Sequence, residues 1–79
     1  MARKVYVEVT ARFDVEGNIT PLSVTWEDGM VYEIDRILDR RRAASLKAVG
    51  IGMRYTCRIS GRQSYLYYED PRWFVEGKR

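Results

Sequence analysis

The chain has 79 residues, of which 46% are hydrophobic and 13% aromatic, which predicts one folded domain over residues 1–79 and excludes a collagenous or low-complexity class. It contains one cysteine, Cys57, and no histidine, which excludes an intramolecular disulfide, the usual Cys/His zinc cluster and a Cys-His or Ser-His catalytic pair. The formal net charge is +3, with 3 Lys/Arg against 7 Asp/Glu in residues 1–35 and 11 against 4 in residues 36–79, so the second half is the candidate for binding anions.

The N-terminal residues have no apolar run long enough for a signal peptide or a membrane span, so we expect a cytoplasmic protein that does not bind membranes. A first strand is predicted by strict alternation of apolar and polar residues. Its apolar members, which we expect to point inward, are Val5, Val7, Val9, Ala11 and Phe13.

The second strand follows a four-residue loop, residues 15–18. Placing Asp14 opposite Ile19 pairs Val9 with Val24, so the two strands share one apolar face. The same register pairs Ala11 with Leu22 and Val7 with Trp26.

The second and third strands form a hairpin whose register is decided by the apolar residues. A two-residue loop at Asp28-Gly29 would place Val24 opposite Glu33, with a carboxylate on the apolar face. A three-residue loop from Glu27 to Gly29, with Gly29 in the left-handed conformation, puts every apolar residue on one face. The predicted pairs are Trp26 with Met30, Val24 with Tyr32, and Leu22 with Ile34.

Residues 35–50 are compatible with two structures. They contain good helix formers, but the apolar stripe that begins at Ile34 ends after one turn, at Arg41. We therefore predict that the third strand continues through a bend to about Arg42 and is followed by a loop. The alternative is a short helical turn near residues 43–49.

A second hairpin is predicted from the alternation of Met53, Tyr55, Cys57 and Ile59 with polar residues. A type II′ loop at Gly61-Arg62 sets its register. The predicted inner pairs are Cys57 with Leu66 and Tyr55 with Tyr68, and the predicted outer pairs are Arg58 with Tyr65 and Thr56 with Tyr67. A turn at residues 69–72 precedes a short last strand over residues 73–76.

Five or six short strands with one apolar face indicate an all-β fold. In a chain this short we expect a small five- to six-stranded antiparallel barrel or a strongly bent sheet, SH3-like or OB-like, because closing the sheet buries the apolar face and hides the strand edges. The hairpin registers do not decide the order in which the strands close.

Three segments resemble those of a known family. They are Trp26-Glu27-Asp28-Gly29 followed by Val31-Tyr32-Glu33-Ile34, then Tyr65-Leu66-Tyr67-Tyr68, and Arg72-Trp73-Phe74. The pattern resembles an uncharacterised family of small bacterial all-β proteins with a Trp-x-Gly turn, a Tyr-x-Val/Ile strand and a closing Trp strand. The resemblance implies a bacterial cytoplasmic protein and carries no implication for chemistry.

The main candidate for a binding surface is the outer face of the fourth and fifth strands, where Arg54 and Arg58 are expected beside Tyr65 and Tyr67. Arginine hydrogen-bonds phosphates, and exposed tyrosines on a sheet are platforms for unpaired bases. The alternative is an ordinary cation–π pair between Arg58 and Tyr65, or a second small core in which the tyrosines pack under the basic loop.

The densest basic run is Arg40, Arg41 and Arg42, which suits sequence-independent contacts to phosphate. Asp35 and Asp39 lie among these arginines and reduce the local positive potential. The alternative is therefore a solvated charged surface.

No catalytic motif is assembled, because the carboxylates have no recognised spacing and no histidine partner. We expect no enzymatic activity, no cofactor and no metal. The sequence predicts a non-catalytic binding module of unknown biochemical function, with single-stranded nucleic acid as the favoured partner. The alternative is a protein–protein or homo-oligomeric module that uses an exposed strand edge or the Tyr/Trp surface.

Overall fold

The computed structural model describes residues 3–43 and 52–77 and contains six antiparallel strands. The strands close into a barrel in chain order, with the last strand paired to the first, which confirms the predicted small antiparallel barrel. They are β1 (Arg3–Phe13), β2 (Ile19–Thr25), β3 (Val31–Ala43), β4 (Gly52–Ile59), β5 (Arg62–Glu69) and β6 (Arg72–Gly77).

Strand β3 takes part in two parts of the barrel wall. Its first residues pair with β2, and from Ile34 onward it pairs with β4. The predicted extension of the third strand to about Arg42 is confirmed, because β3 ends at Ala43. The loop or helical turn predicted near residues 43–49 lies, beyond Ala43, outside the described residues.

The β2–β3 hairpin has the predicted three-residue turn. Val24 lies opposite Tyr32, and the Trp26 amide donates to the Met30 carbonyl at 2.8 Å. Gly29 has a φ of 88°, a conformation that only glycine adopts without strain. The predicted pair of Leu22 with Ile34 is wrong, because Ile34 pairs with Ile59 of β4.

A bulge between Thr10 and Ala11 changes the β1–β2 register partway along the ladder. Val9 lies opposite Val24 as predicted, but Ala11 lies opposite Pro21 and not Leu22. Proline has no main-chain N–H to donate, so it is tolerated at bulges. The bulge also places Phe13 opposite Ile19, so the predicted pair of Asp14 with Ile19 is wrong. The predicted pair of Val7 with Trp26 is wrong as well, because the ladder ends at the pair of Glu8 with Thr25.

The β4–β5 hairpin turns at Ser60 and Gly61, one residue earlier than predicted. Their φ values are 52° and 77°, and two successive positive φ values define a type I′ turn. The register is therefore displaced by two residues, and Tyr55 lies opposite Leu66. The predicted pairs of Cys57 with Leu66, Tyr55 with Tyr68, Arg58 with Tyr65 and Thr56 with Tyr67 are wrong. A displacement of two preserves the side on which each residue points, so the inner and outer faces remain as predicted.

The barrel interior is filled by apolar and aromatic side chains. The buried residues of its core cluster are Val24, Tyr55, Cys57, Leu66 and Trp73. The Tyr55 ring packs 5.5 Å from the Trp73 ring, and its hydroxyl donates to the Ile19 carbonyl at 2.7 Å. This bond satisfies both the buried hydroxyl and a β2 carbonyl near the start of the strand.

Cys57 is inaccessible to solvent, with an exposed fraction of 0%, and burial raises its pKa from 9.0 to about 11. We expect native protein at pH 8 to react negligibly with an aromatic disulfide reagent and urea-unfolded protein to release one equivalent of thiolate, because only the thiolate attacks. The thiol has a higher pKa in the folded protein than in the unfolded chain, so the folded state is favoured while the thiol is protonated. This contribution to the free energy of unfolding is complete below pH 9 and is lost as the pH rises towards 11. One rapid equivalent from native protein would contradict this burial.

Candidate nucleic-acid interface

The outer side chains of β3, β4, β5 and β6, together with the part of β1 that pairs with β6, form one continuous surface. Residues directly opposite each other in a ladder share a face, and Tyr55 and Cys57 of β4 point inward. Their neighbours Arg54 and Arg58 therefore point outward. We call this surface the basic face; its members are Lys4, Tyr6, Arg36, Asp39, Arg41, Arg54, Arg58, Tyr65, Tyr67, Glu69, Arg72, Phe74 and Glu76.

The basic face concentrates the charge asymmetry of the sequence. The described part of the chain places six cations and three carboxylates on it. Most of these cations come from β3 to β6, which are consecutive in the barrel. Acidic residues of the first half, such as Glu8 and Glu33, lie on the outer side of the β1–β2–β3 ladders. The two halves of the sequence therefore do not cancel each other's charge.

The guanidinium group of Arg54 lies over the Tyr65 ring, with its carbon 4.6 Å from the ring centroid. The Tyr65 side chain is 45% exposed, so this cation–π pair lies at the surface. The predicted partner of Tyr65 was Arg58, but the two-residue displacement of the hairpin places Arg58 between Arg36 and Gln63.

Tyr67 is buried, which contradicts its prediction as an exposed platform. Only 8% of its surface is exposed, because its ring stacks on Phe74 of β6 at 5.0 Å and 4°. Its hydroxyl donates to Oε1 of Glu76 at 3.3 Å. Burial, followed by the neighbouring Glu76 carboxylate, raises the pKa of Tyr67. Tyr67 therefore belongs to a small aromatic cluster with Phe74 of β6. The predicted packing of the tyrosines under the basic loop involves residues 44–51, which lie outside the described residues.

Strands β1 and β6 contribute a part of this face that was not predicted from the sequence. The Arg72 guanidinium carbon lies 3.8 Å from the centroid of the Tyr6 ring, and the Tyr6 ring meets Phe74 edge-on at 5.9 Å. Lys4 and Tyr6 lie on the polar side of the alternating first strand, which is the only sequence signal for them. Their place beside β5 and β6 depends on the closing order of the barrel.

Lys4 is paired on the basic face, with Nζ 3.3 Å from Oε1 of Glu69. Burial lowers the pKa of Lys4, but hydrogen bonds with Tyr6 and Glu69 outweigh it and leave the pKa raised. Burial likewise raises the pKa of Glu69, and its hydrogen bonds from Lys4 and Tyr6 outweigh that effect and leave the pKa lowered. Both groups therefore stay charged at neutral pH and neutralise each other.

The three arginines of the densest basic run do not act together. Arg41 lies opposite Arg54 on the basic face, and its Nε donates to Asp39 at 2.8 Å. That hydrogen bond holds the pKa of Asp39 below its ordinary value. Arg40 and Arg42 lie opposite the inward-pointing Tyr55 and Met53. Both are exposed, and they border small cavities at the rim of the barrel.

Four cations on the basic face lie outside the ion pairs formed within the described residues: Arg36, Arg54, Arg58 and Arg72. Arg36 and Arg58 lie directly opposite each other, an arrangement of like charges that is unfavourable without a counter-ion. The Nε of Arg54 is buried and has no hydrogen-bond partner among the described residues. The arrangement therefore favours an anionic ligand over a cationic or neutral one.

Within residues 3–43 and 52–77, no three His, Cys, Asp or Glu side chains lie where they could hold a metal ion together. The same residues include no helix that is long and apolar enough to cross a membrane. Comparisons with family models, curated proteins and solved structures found no match to the chain.

Proposed function

We propose that this chain is a non-catalytic binding module whose basic face binds single-stranded nucleic acid. The observation that carries the proposal is the pair of guanidinium groups held over tyrosine rings, Arg54 over Tyr65 and Arg72 over Tyr6. A guanidinium held this way donates to phosphate oxygens along its edge and offers its outer plane for stacking on an unpaired base. The SH3-like barrel character, the cytoplasmic location and the bacterial origin expected from the sequence belong to the same proposal.

Binding is expected to depend strongly on salt. Because each phosphate contact releases a counter-ion, log K should fall against log salt concentration with a slope of about −0.7 per contact on a single strand. The four arginines that lie outside the ion pairs of the described residues therefore predict a slope of roughly −3. The measurement is the fluorescence anisotropy of a labelled oligothymidylate of about 12 nucleotides, titrated at several salt concentrations.

The variant that tests the face is Arg58→Ala, and its matched control is Arg12→Ala. Both arginines are exposed on strands and lose the same charge, but Arg12 lies on β1 opposite Thr20, away from the basic face. Arg58→Ala should weaken binding and reduce the magnitude of the salt slope by about 0.7, whereas Arg12→Ala should change neither. Absence of binding at low salt, or equal losses in the two variants, would overturn the proposal.

A second candidate function is self-association or binding to another protein. It is favoured by apolar side chains exposed around the β2–β3 hairpin, namely Leu22, Met30, Val31 and Tyr32. Sedimentation in the same salt series distinguishes the candidates, because a largely apolar association does not weaken as salt rises. A monomer at every salt and protein concentration would exclude self-association.

A further inference from the structure

A cleft opens between β5 and β6 beside the basic face. The two strands pair only through Tyr67, Tyr68 and Glu69 of β5, and β6 continues along β1. Residues 62–66 therefore have no partner in β6 within the described residues. The resulting cavity has a volume of about 670 Å³, which lies in the range of small-molecule sites.

The lining of the cleft is apolar and aromatic at depth and polar at one side. Val24 and Leu66 are buried at its base, and Trp26 and Tyr32 present aromatic rings to it. The Tyr32 side chain is 37% exposed. The polar lining residues include Gln63 and Ser64 of β5 and the carboxylate of Glu76 of β6, together with the main-chain groups that the unpaired half of β5 directs towards β6.

This combination matches the surface of a nucleobase. A base has two apolar faces, which stack on aromatic side chains, and a polar edge, which accepts and donates hydrogen bonds. The amide of Gln63 supplies both a donor and an acceptor, and the hydroxyl of Ser64 does the same. An aliphatic ligand would leave these polar groups without a partner.

The cleft also adjoins the proposed path of the strand. Tyr65 and Tyr67 belong both to the basic face and to the lining of the cleft. Gln63 at its edge lies directly opposite Arg58. A phosphate held by Arg58 would therefore position a neighbouring base at the opening.

We propose that the β5–β6 cleft takes one unpaired base of the strand that lies on the basic face. The inference rests on the proposed function. It also explains why the protein would prefer a single strand to a duplex, because a base that is paired in a duplex cannot enter the cleft. Trp26 and Tyr32 provide the stacking surface, and Gln63 and Ser64 contact the polar edge of the base.

The test compares two oligonucleotides of equal length and phosphate number, one with normal bases and one abasic throughout. The normal strand should bind roughly tenfold to hundredfold more tightly, the size expected for one or two stacked bases. A 2-aminopurine placed in the normal strand should lose fluorescence on binding, which reports stacking in the unmodified protein. Equal affinities of the two strands with unchanged 2-aminopurine fluorescence would overturn the inference and leave the proposed function standing.

The variant Tyr32→Ala locates the base, with Phe13→Ala as its matched control. Both remove an exposed aromatic side chain, and Phe13 lies outside the cleft. Tyr32→Ala should weaken binding of the normal strand about tenfold without changing the affinity of the abasic strand, and Phe13→Ala should change neither. Equal losses on both strands would place the effect of Tyr32 outside the cleft and overturn the inference. Failure of both strands to bind the unmodified protein overturns the proposed function and this inference together.

Discussion

Leu66→Ala is expected to lower the free energy of unfolding by about 2–5 kcal/mol, the usual result of removing a buried leucine side chain. Leu66 is 1% exposed and lies in the centre of the barrel, opposite Tyr55. A domain of this size has a total stability of roughly 4–12 kcal/mol, so the substitution should remove a large fraction of that stability and move the unfolding midpoint to a lower urea concentration. Equilibrium urea unfolding followed by tryptophan fluorescence measures the change.

The matched control is Leu22→Ala, for which we expect a loss below about 1 kcal/mol. Both leucines are on strands and both are predicted by alternation to point inward, but the bulge leaves Leu22 44% exposed. The two substitutions remove the same atoms, so the difference between them measures burial. Equal losses would indicate that β1 and β2 pair without the bulge.

Gly52→Ala is expected to destabilise the barrel by about 1–3 kcal/mol, as overpacking does where the backbone itself must move. A Cβ on Gly52 would lie 2.5 Å from the main-chain oxygen of Tyr68. Alanine within a strand ordinarily stabilises relative to glycine by roughly 0.5–1 kcal/mol. A loss would therefore report the close approach of β4 to β5. Thermal unfolding followed by circular dichroism would measure it.

The control for Gly52→Ala is Gly29→Ala, which introduces the same methyl group where no atom lies within 4 Å. Its cost comes only from the positive φ of the turn and should be about 1 kcal/mol. We expect Gly52→Ala to cost more. The opposite order would show that β4 and β5 are further apart at this point than the structure indicates.

The sequence predicts which side of each strand is buried much better than it predicts which residues are neighbours. Alternation identified most of the inward residues of β1, β4 and β5, because burial of one face dictates a period of two. It was wrong for Phe13 and Leu22, which it also predicted to point inward and which are 63% and 44% exposed. The β4–β5 register was missed because Ser60 adopts a positive φ, which is uncommon for a residue with a side chain. Glycine at position 61 signals a turn, but it does not specify whether the turn begins or ends there.

The candidate site was predictable only in part, because some of its residues are brought together by pairing between strands that are distant in the sequence. Arg54, Arg58 and Tyr65 are outward by alternation, and they lie on the face that was expected. Burial of Tyr67 depends on Phe74 of a strand that becomes its neighbour only in the closed sheet. The contribution of Lys4 and Tyr6 likewise depends on β1 closing against β6. Pairings between strands distant in the sequence leave no local signal.

The lengths of the ladders have a mechanical consequence. Among the residues that the structure describes, the β2–β3 and β5–β6 ladders contain three residue pairs each, whereas the other four ladders contain between five and eight. These two short ladders divide the barrel wall into two halves. One half consists of β3, β4 and β5, and the other of β6, β1 and β2. Local opening follows the least hydrogen-bonded boundaries, so the halves should hinge apart there first. A molecule bound across β5 and β6 would hold one of these two boundaries closed.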